Sequence, residues 1–197
     1  LNGSRKPEAG YSYRGYEKIK YRNADGSKEF RYRHIDANGD IQWTRGDAAH
    51  TPYRPDEVKQ AISRSEIIAI PEGEKDCESL RVLGITATTF GGASDWKDAW
   101  KAFFQNGRIV IFVDRDKAGI VHGSDMVKSL QIVCKSLKVA ILPGEGIKDV
   151  TDFVMAGHGR DELDKLISSA PELAKPLKDA KFDWHDQAVQ HGDLISK

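Results

Sequence analysis

A short apolar run, IVIFV at residues 109–113, constrains the fold of this chain more than any other feature. Consecutive apolar residues with no polar residue between them are typical of a strand that is buried on both faces. Such strands occur in parallel sheets that are covered by helices on both sides. The run ends at Asp114, Arg115 and Asp116, so the predicted strand delivers two carboxylates to the point where it leaves the core.

The sequence on either side of this strand alternates between strand and helix patterns. Strands are predicted at residues 66–71, 85–90, 108–114 and 138–143, and helices at residues 75–84, 95–107, 124–137, 149–157 and 160–169. Strands that alternate with helices form a mostly parallel sheet through right-handed crossovers. We therefore predict an α/β fold in which a mostly parallel four-stranded sheet has helices on both faces.

The N-terminal region has a different pattern, in which aromatic or aliphatic residues alternate with charged ones from residue 11 to residue 44. The segments NADGS and DANGD interrupt this alternation, and Asp-Gly and Asn-Gly are typical of hairpin turns. We predict a small antiparallel β-rich subdomain with a basic polar face. The cations of this face are Arg14, Lys18, Lys20, Arg22, Lys28, Arg31 and Arg33.

Cations that are interleaved with aromatic residues suit the binding of a nucleic-acid strand by phosphate contact and base stacking. A half-buried sheet with a solvated charged face accounts for the same pattern, so both interpretations stay open. For nucleic-acid binding we single out Arg14, Lys18, Lys20, Arg31 and Arg33.

Composition limits the classes of protein to which the chain can belong. Lys and Arg together number 30, and Asp and Glu also number 30, so bulk charge does not indicate a nucleic-acid-binding protein. No apolar run approaches the length of a membrane span. Cys77 and Cys134 are far apart, each within a predicted helix, which suits buried thiols of a cytoplasmic protein and excludes the paired cysteines of a zinc ribbon.

We divide the chain into three parts on these patterns. Residues 1–64 form the β-rich, basic and aromatic N-terminal subdomain, and residues 65–160 form the α/β domain. Residues 161–197 form a C-terminal helix and a linker toward a module that is missing from this chain.

Acidic residues follow three of the predicted parallel strands. Because the carboxyl ends of parallel strands lie at the same edge of a sheet, these side chains are expected to converge there. If the first and third strands are neighbours, Glu72, Asp114 and Asp116 share one small volume. The acids at this edge are Glu72, Asp76, Asp114, Asp116, Asp149 and Asp152.

Carboxylates that are crowded in a half-buried place repel one another and raise their own pKa values. A divalent cation removes this penalty, and hard oxygen ligands favour Mg²⁺ or Mn²⁺ over Zn²⁺. A purely structural cluster would instead need several basic partners. Lysine and arginine residues near these acids are candidates for binding polyphosphate oxygens, although a solvated surface explains two of them, Arg115 and Lys148, equally well. The four candidates are Lys75, Lys117, Arg115 and Lys148.

The motifs IPEGEKD, FVDRDKAG and KDVTDF, in this order and spacing, resemble the Toprim domain. That domain is shared by bacterial replicative primases, type IA and type II topoisomerases, and some nucleases and repair proteins. The resemblance covers roughly residues 66–159. Ala-Gly after the acids of DRDKAG is closer to the primase pattern, and EGEKDCESLRVLG and TTFGGASDW look like the primase parts of phage and plasmid primase-helicases.

The resemblance implies that Glu72, Asp114 and Asp116 are the catalytic and metal-binding acids, with Asp149 as a further metal ligand. Asp76 and Asp152 would be supporting acids. The implied reaction is synthesis of short RNA primers on a single-stranded DNA template from Mg²⁺-bound nucleoside triphosphates. The implied partner is a helicase module, and no membrane is involved.

The chain departs from the family pattern at two points. Primases of this kind usually carry an N-terminal zinc-binding module, but the sequence has no suitable cluster of Cys and His. It also has no Walker-type phosphate loop, so it contains no helicase motor. Two alternatives stay open: a Toprim-type metal-dependent nuclease, and a non-catalytic module that binds nucleic acid or protein.

Overall fold

A computed structural model describes residues 6–91, 96–114 and 117–173, and for residues 117–122 it describes the backbone alone. The chain divides into two compact units, one within residues 1–54 and the other within residues 55–197. The first unit therefore ends at Arg54, and the helix that follows belongs to the second unit. The sequence patterns had assigned the residues of this helix to the N-terminal region.

The first unit is an antiparallel sheet of four strands in the order β1-β2-β3-β4, as its turn residues predicted. At the two predicted turns Gly26 has a φ of 83° and Gly39 a φ of 89°, a backbone conformation that favours glycine. The first strand begins at Ala9, two residues before the start of the alternation that was predicted from residue 11. The strands are β1 (Ala9–Tyr13), β2 (Tyr16–Arg22), β3 (Lys28–Ile35) and β4 (Ile41–Gln42).

The second unit is an α/β fold around a parallel sheet, which confirms the predicted fold class. Its elements are α1 (Pro55–Ser63), β5 (Ile67–Ile70), α2 (Glu74–Val82), β6 (Thr86–Ala87), a 3-10 helix (Asp98–Phe104), β7 (Arg108–Phe112), α3 (Lys117–Leu130), β8 (Ser136–Ala140), α4 (Val150–Met155) and α5 (Arg160–Ser169). The strand order is β6-β5-β7-β8, and every pair is parallel. The strands β5 and β7 are therefore neighbours, as the convergence of the acids required.

Helices cover both faces of this sheet, because alternate strand residues point to opposite sides. On one face, Ile68, Ile109 and Leu137 pack with buried residues of α1, α3 and the 3-10 helix in one apolar cluster. On the other face lie Ala69 and Val110, both fully buried. Buried residues of α2 and α5 are not part of the first cluster, and these helices contact the sheet on the second face, where α4 packs against α2.

Several predicted elements have different bounds in the structure. The second strand of the parallel sheet is only two residues long, and the predicted helix at residues 95–107 is a 3-10 helix of seven residues. The helix α3 ends at Leu130, so Cys134 lies in the turn that follows and not in a helix. The helix α3 ends earlier than predicted because residues 136–140 pair with β7, so the chain must leave the helix and reach the sheet before residue 136.

The segment after α5 is partly structured, although the sequence indicated a linker from residue 170. Glu172 forms an antiparallel bridge with Lys138 of β8, and the backbone N–H of Leu173 donates to the carbonyl of Leu137 at 2.8 Å. Leu173 is also buried in the core. None of the helices in the described part of the chain is long and apolar enough to cross a lipid bilayer.

Candidate active site

Glu72 and Asp114 meet at the carboxyl edge of the parallel sheet. Each is the second residue after its strand, and the two strands pair directly, with Ile70 opposite Ile111. Their carboxyl groups interact, because hydrogen bonding and charge from Glu72 both raise the pKa of Asp114. Both side chains line a small cavity together with residues of α3.

The pKa of Asp114 is raised to about 8, far above the ordinary value for an aspartate. Burial of the carboxyl group is the largest cause, followed by the hydrogen bond and the negative charge of Glu72. The charges of Asp76 and Asp149 raise this pKa further. Four carboxyl groups therefore act on one small region, and this crowding favours the protonated form of Asp114 when no cation is bound.

Asp76 lies in the first turn of α2 and is 6% exposed. Its Oδ1 accepts a hydrogen bond from the backbone N–H of Thr151 at 2.9 Å and another from the Thr151 hydroxyl at 2.6 Å. Burial raises the pKa of Asp76, the hydrogen bonds from Thr151 lower it, and the charge of Asp149 raises it. Asp76 thus joins α2 to the first turn of α4.

Asp149 and Asp152 are both engaged in the first turn of α4. Asp149 is the N-cap, and its Oδ1 accepts from the backbone N–H of Asp152 at 2.7 Å. Asp152 Oδ2 in turn accepts from the backbone N–H of Lys148 at 3.2 Å. Asp152 therefore closes this turn, whereas Asp149 caps the helix and also acts electrostatically on Asp114.

The predicted phosphate-binding cations are only partly within the described residues. Lys75 and Lys148 are exposed, and the charge of Lys75 lowers the pKa of Asp76, so this cation lies near the acids. Lys117 is the first residue of α3, but its side chain lies outside the description. Arg115 and Asp116 lie outside the described residues altogether.

The donors at this edge suit a hard divalent cation. Within residues 6–91, 96–114 and 117–173, no three His, Cys, Asp or Glu side chains are grouped as a metal site. The predicted metal ligands also included Asp116, which lies outside these ranges. The carboxyl groups of Glu72 and Asp114 supply oxygen atoms of the kind that Mg²⁺ and Mn²⁺ prefer, and burial and neighbouring negative charges raise the pKa of Asp114. Glu72 and Asp114 are therefore ligands of a kind that suits a magnesium ion.

Two buried threonines support this edge and were not among the predicted site residues. Thr89, 2% exposed, donates its hydroxyl to the backbone carbonyl of Glu72 at 2.7 Å. Thr151 binds Asp76 as described above. The motif KDVTDF contains Thr151, but in the sequence only its acids indicated chemistry.

The single basic face that was predicted for the N-terminal unit is wrong. Residues that are paired across an antiparallel ladder point to the same side, and Lys18 pairs with Tyr32 whereas Arg31 pairs with Ile19. Lys18 and Lys20 thus share a face with aromatic residues, and Arg31 and Arg33 lie on the opposite face.

Burial and ion pairing further distinguish these cations. Lys18 is 3% exposed and lies over the ring of Phe30, with its Nζ 4.4 Å from the ring centroid. Lys20 is also buried and forms an ion pair with Glu8. Arg31 and Arg33 are paired with Glu29 and Glu17, and Arg14 is exposed in the turn between β1 and β2. Of the cations that were predicted to bind nucleic acid, those accessible to solvent are therefore Arg14, Arg31 and Arg33.

No protein-family profile and no curated protein matches the chain. Solved structures, however, do match the chain. One is a DnaG catalytic core, with a TM-score of 0.53 and 16% identity over 79% of this chain and 53% of that one. Another is the Aquifex aeolicus primase, comprising zinc-binding and RNA polymerase domains, with a TM-score of 0.53 and 20% identity over 80% of this chain and 40% of that one. The RNA polymerase domain of Mycobacterium tuberculosis primase DnaG has a TM-score of 0.52 and 16% identity over 91% of this chain and 62% of that one.

The chain shares the fold of DnaG-type primase catalytic cores. It spans less than two thirds of each of these three structures. At these identities the similarity establishes the fold and leaves the chemistry to the residues of this chain.

Proposed function

We propose that this chain is the catalytic core of a DNA primase, which synthesises short RNA primers on single-stranded DNA from Mg²⁺-bound nucleoside triphosphates. The observation that carries the proposal is the meeting of Glu72 and Asp114 in one small cavity at the carboxyl edge of the parallel sheet. The shared fold with primase catalytic cores supports it. The Toprim resemblance, an origin in phage or plasmid replication and a helicase module as partner belong to the same proposal.

In this proposal Glu72 and Asp114 are the central metal-binding and catalytic acids, together with Asp116 and Asp149. When bound, Mg²⁺ (or Mn²⁺) lowers the charge on the nucleoside triphosphate and activates the attacking 3′-hydroxyl. The carboxyl pair contributes a fixed position for the ion, because each acid lies two residues after the end of a buried strand. Until the ion arrives, the pair retains a proton, which lowers the repulsion between the two groups.

The cations of the chain have two roles in this proposal. Lys75, Lys117, Arg115 and Lys148 bind phosphate oxygens of the incoming nucleotide. In the N-terminal unit, exposed arginines bind the phosphates of the template strand or the hybrid. Lys18 and Lys20 are excluded from direct template contact in this scheme, because their side chains are buried.

The test is an incubation of the chain with single-stranded DNA, Mg²⁺ and labelled nucleoside triphosphates. New oligoribonucleotides are expected from the wild type, and none from Glu72→Gln or Asp114→Asn. Asp125→Asn is the matched control, because Asp125 lies on the exposed side of α3 in an ion pair with Lys128. Full synthesis by Asp114→Asn would contradict the site assignment. Shortened DNA would indicate a nuclease instead, and binding without either product would indicate a non-catalytic module.

A further inference from the structure

We infer that Thr151 is a positioning residue for the proposed metal site and that it acts through Asp76. The inference rests on the proposed function, because it concerns how the acidic edge holds a divalent cation. Thr151 itself carries no charge. Its role is to hold the first turn of α4 against α2, so that Asp149 stays close to the pair of Glu72 and Asp114.

The contact between Thr151 and Asp76 links two distant parts of the chain. Both residues are buried, at 5% and 6% exposure, and two donors of Thr151 bind the same oxygen of Asp76. Hydrogen bonds to a carboxylate are shorter and stronger than those between neutral groups. Because the carboxylate is buried, a lost donor is not easily replaced by water. The position of α4 relative to α2 therefore depends strongly on this contact.

The turn at residues 148–152 contains both Thr151 and Asp149 and links their positions. Asp149 caps α4 through the backbone N–H of Asp152, and Asp152 bonds back to the backbone of Lys148. These two hydrogen bonds make residues 148–152 one closed turn. When Thr151 is fixed, Asp149 is fixed with it.

Ser79 offers a matched control for the hydroxyl of Thr151. Ser79 Oγ lies 3.1 Å from Thr151 Oγ1, and it also donates to the backbone carbonyl of Lys75 at 3.2 Å. Ser79 therefore touches the same hydroxyl and the same helix, but no described hydrogen bond joins its side chain to an acid of the site. Its removal perturbs the packing between α2 and α4 without removing a donor to Asp76.

The distinguishing variants are Thr151→Val, which removes the hydroxyl at nearly constant volume, and Thr151→Ser, which restores it. Loss of a hydrogen-bond partner that orients a metal ligand typically lowers metal affinity by about 10–100-fold. We expect Thr151→Val to raise the half-saturating Mg²⁺ concentration on the order of tenfold. Thr151→Ser and Ser79→Ala should stay close to the wild type.

The experiment titrates Mg²⁺ into the full chain and follows binding by calorimetry, with primer synthesis measured over the same concentrations. In Thr151→Val, saturating Mg²⁺ should restore most of the synthesis rate, because the catalytic acids are intact. If Thr151→Val does not fold, Thr151→Cys, whose thiol is a weaker donor, serves the same comparison.

Wild-type Mg²⁺ affinity in a folded Thr151→Val or Thr151→Cys variant would overturn the inference and leave the proposed function standing. A wild type that binds no Mg²⁺ and makes no primers would overturn both.

Discussion

Glu72 and Asp114 line one small cavity where two neighbouring parallel strands end. Burial of Asp114 and the carboxyl group of Glu72 raise the pKa of Asp114 to about 8. The pair therefore binds a proton at neutral pH when no cation is present. A divalent ion and this proton compete for the same oxygens, so metal binding should release the proton.

The raised pKa of Asp114 predicts how stability depends on pH in metal-free protein. From its ordinary pKa of 3.8 up to about 8, the folded state holds a proton that the unfolded state has lost. The contribution of Asp114 to the free energy of unfolding is therefore greatest below the ordinary pKa and declines as pH rises through this window. Asp114→Asn removes the decline, so urea unfolding in EDTA should show the variant gaining stability relative to the wild type from pH 5 to pH 8.

Asp125→Asn is the control for this measurement, because Asp125 is an exposed residue whose ion pair with Lys128 lies within one turn of α3. The free energy of unfolding of Asp125→Asn should differ from that of the wild type by nearly the same amount over the whole pH range. Parallel pH profiles for the wild type and Asp114→Asn would show that Asp114 is not held in a crowded, buried pair.

Thr89 is expected to position Glu72. Thr89→Val keeps the volume but removes the hydroxyl that binds the carbonyl of Glu72. The loss should cost about 1–2 kcal/mol of stability, because the carbonyl loses a donor in a buried place, and it should also reduce primer synthesis. Thr86→Val, at a half-buried position of β6, is the control and should be within about 0.5 kcal/mol of the wild type in urea unfolding. Equal effects of the two substitutions would contradict the role of Thr89.

The fold was predictable because its strongest signals are local. The apolar run at residues 109–113 indicated a strand buried on both faces, and the Asp-Gly and Asn-Gly turns indicated an antiparallel meander. The meeting of Glu72 and Asp114 depended on one further condition, that their strands are neighbours. That condition holds in the observed order β6-β5-β7-β8.

The parts that could not be predicted depend on register and on uncharged groups. Whether Arg31 and Lys18 lie on the same face of the sheet depends on how β2 and β3 pair across their turn. The alternation within one strand does not reveal this register. The hydroxyl of Thr151 resembles any other threonine until Asp76, 75 residues earlier, lies beside it. Likewise, Glu172 follows a proline in an irregular segment, and only the free edge of β8 explains its bridge.

Exposed arginines of the N-terminal unit are expected to bind the template. Arg31→Gln should weaken binding of single-stranded DNA, because one phosphate contact is lost. The slope of the logarithm of the affinity against the logarithm of the salt concentration should become shallower by about one. Fluorescence anisotropy over a range of salt concentrations measures both quantities. Arg64→Gln is the control, since Arg64 is similarly exposed in the second unit. An unchanged salt dependence in Arg31→Gln would remove this arginine from the template-binding surface.

The most direct test of the central claim is a crystal structure of the chain soaked with Mn²⁺, whose anomalous scattering locates the ion. The account predicts an ion that carboxylate oxygens of both Glu72 and Asp114 contact at about 2–2.5 Å. Glu72 and Asp114 with no ion between their carboxyl groups at saturating Mn²⁺ would contradict the account.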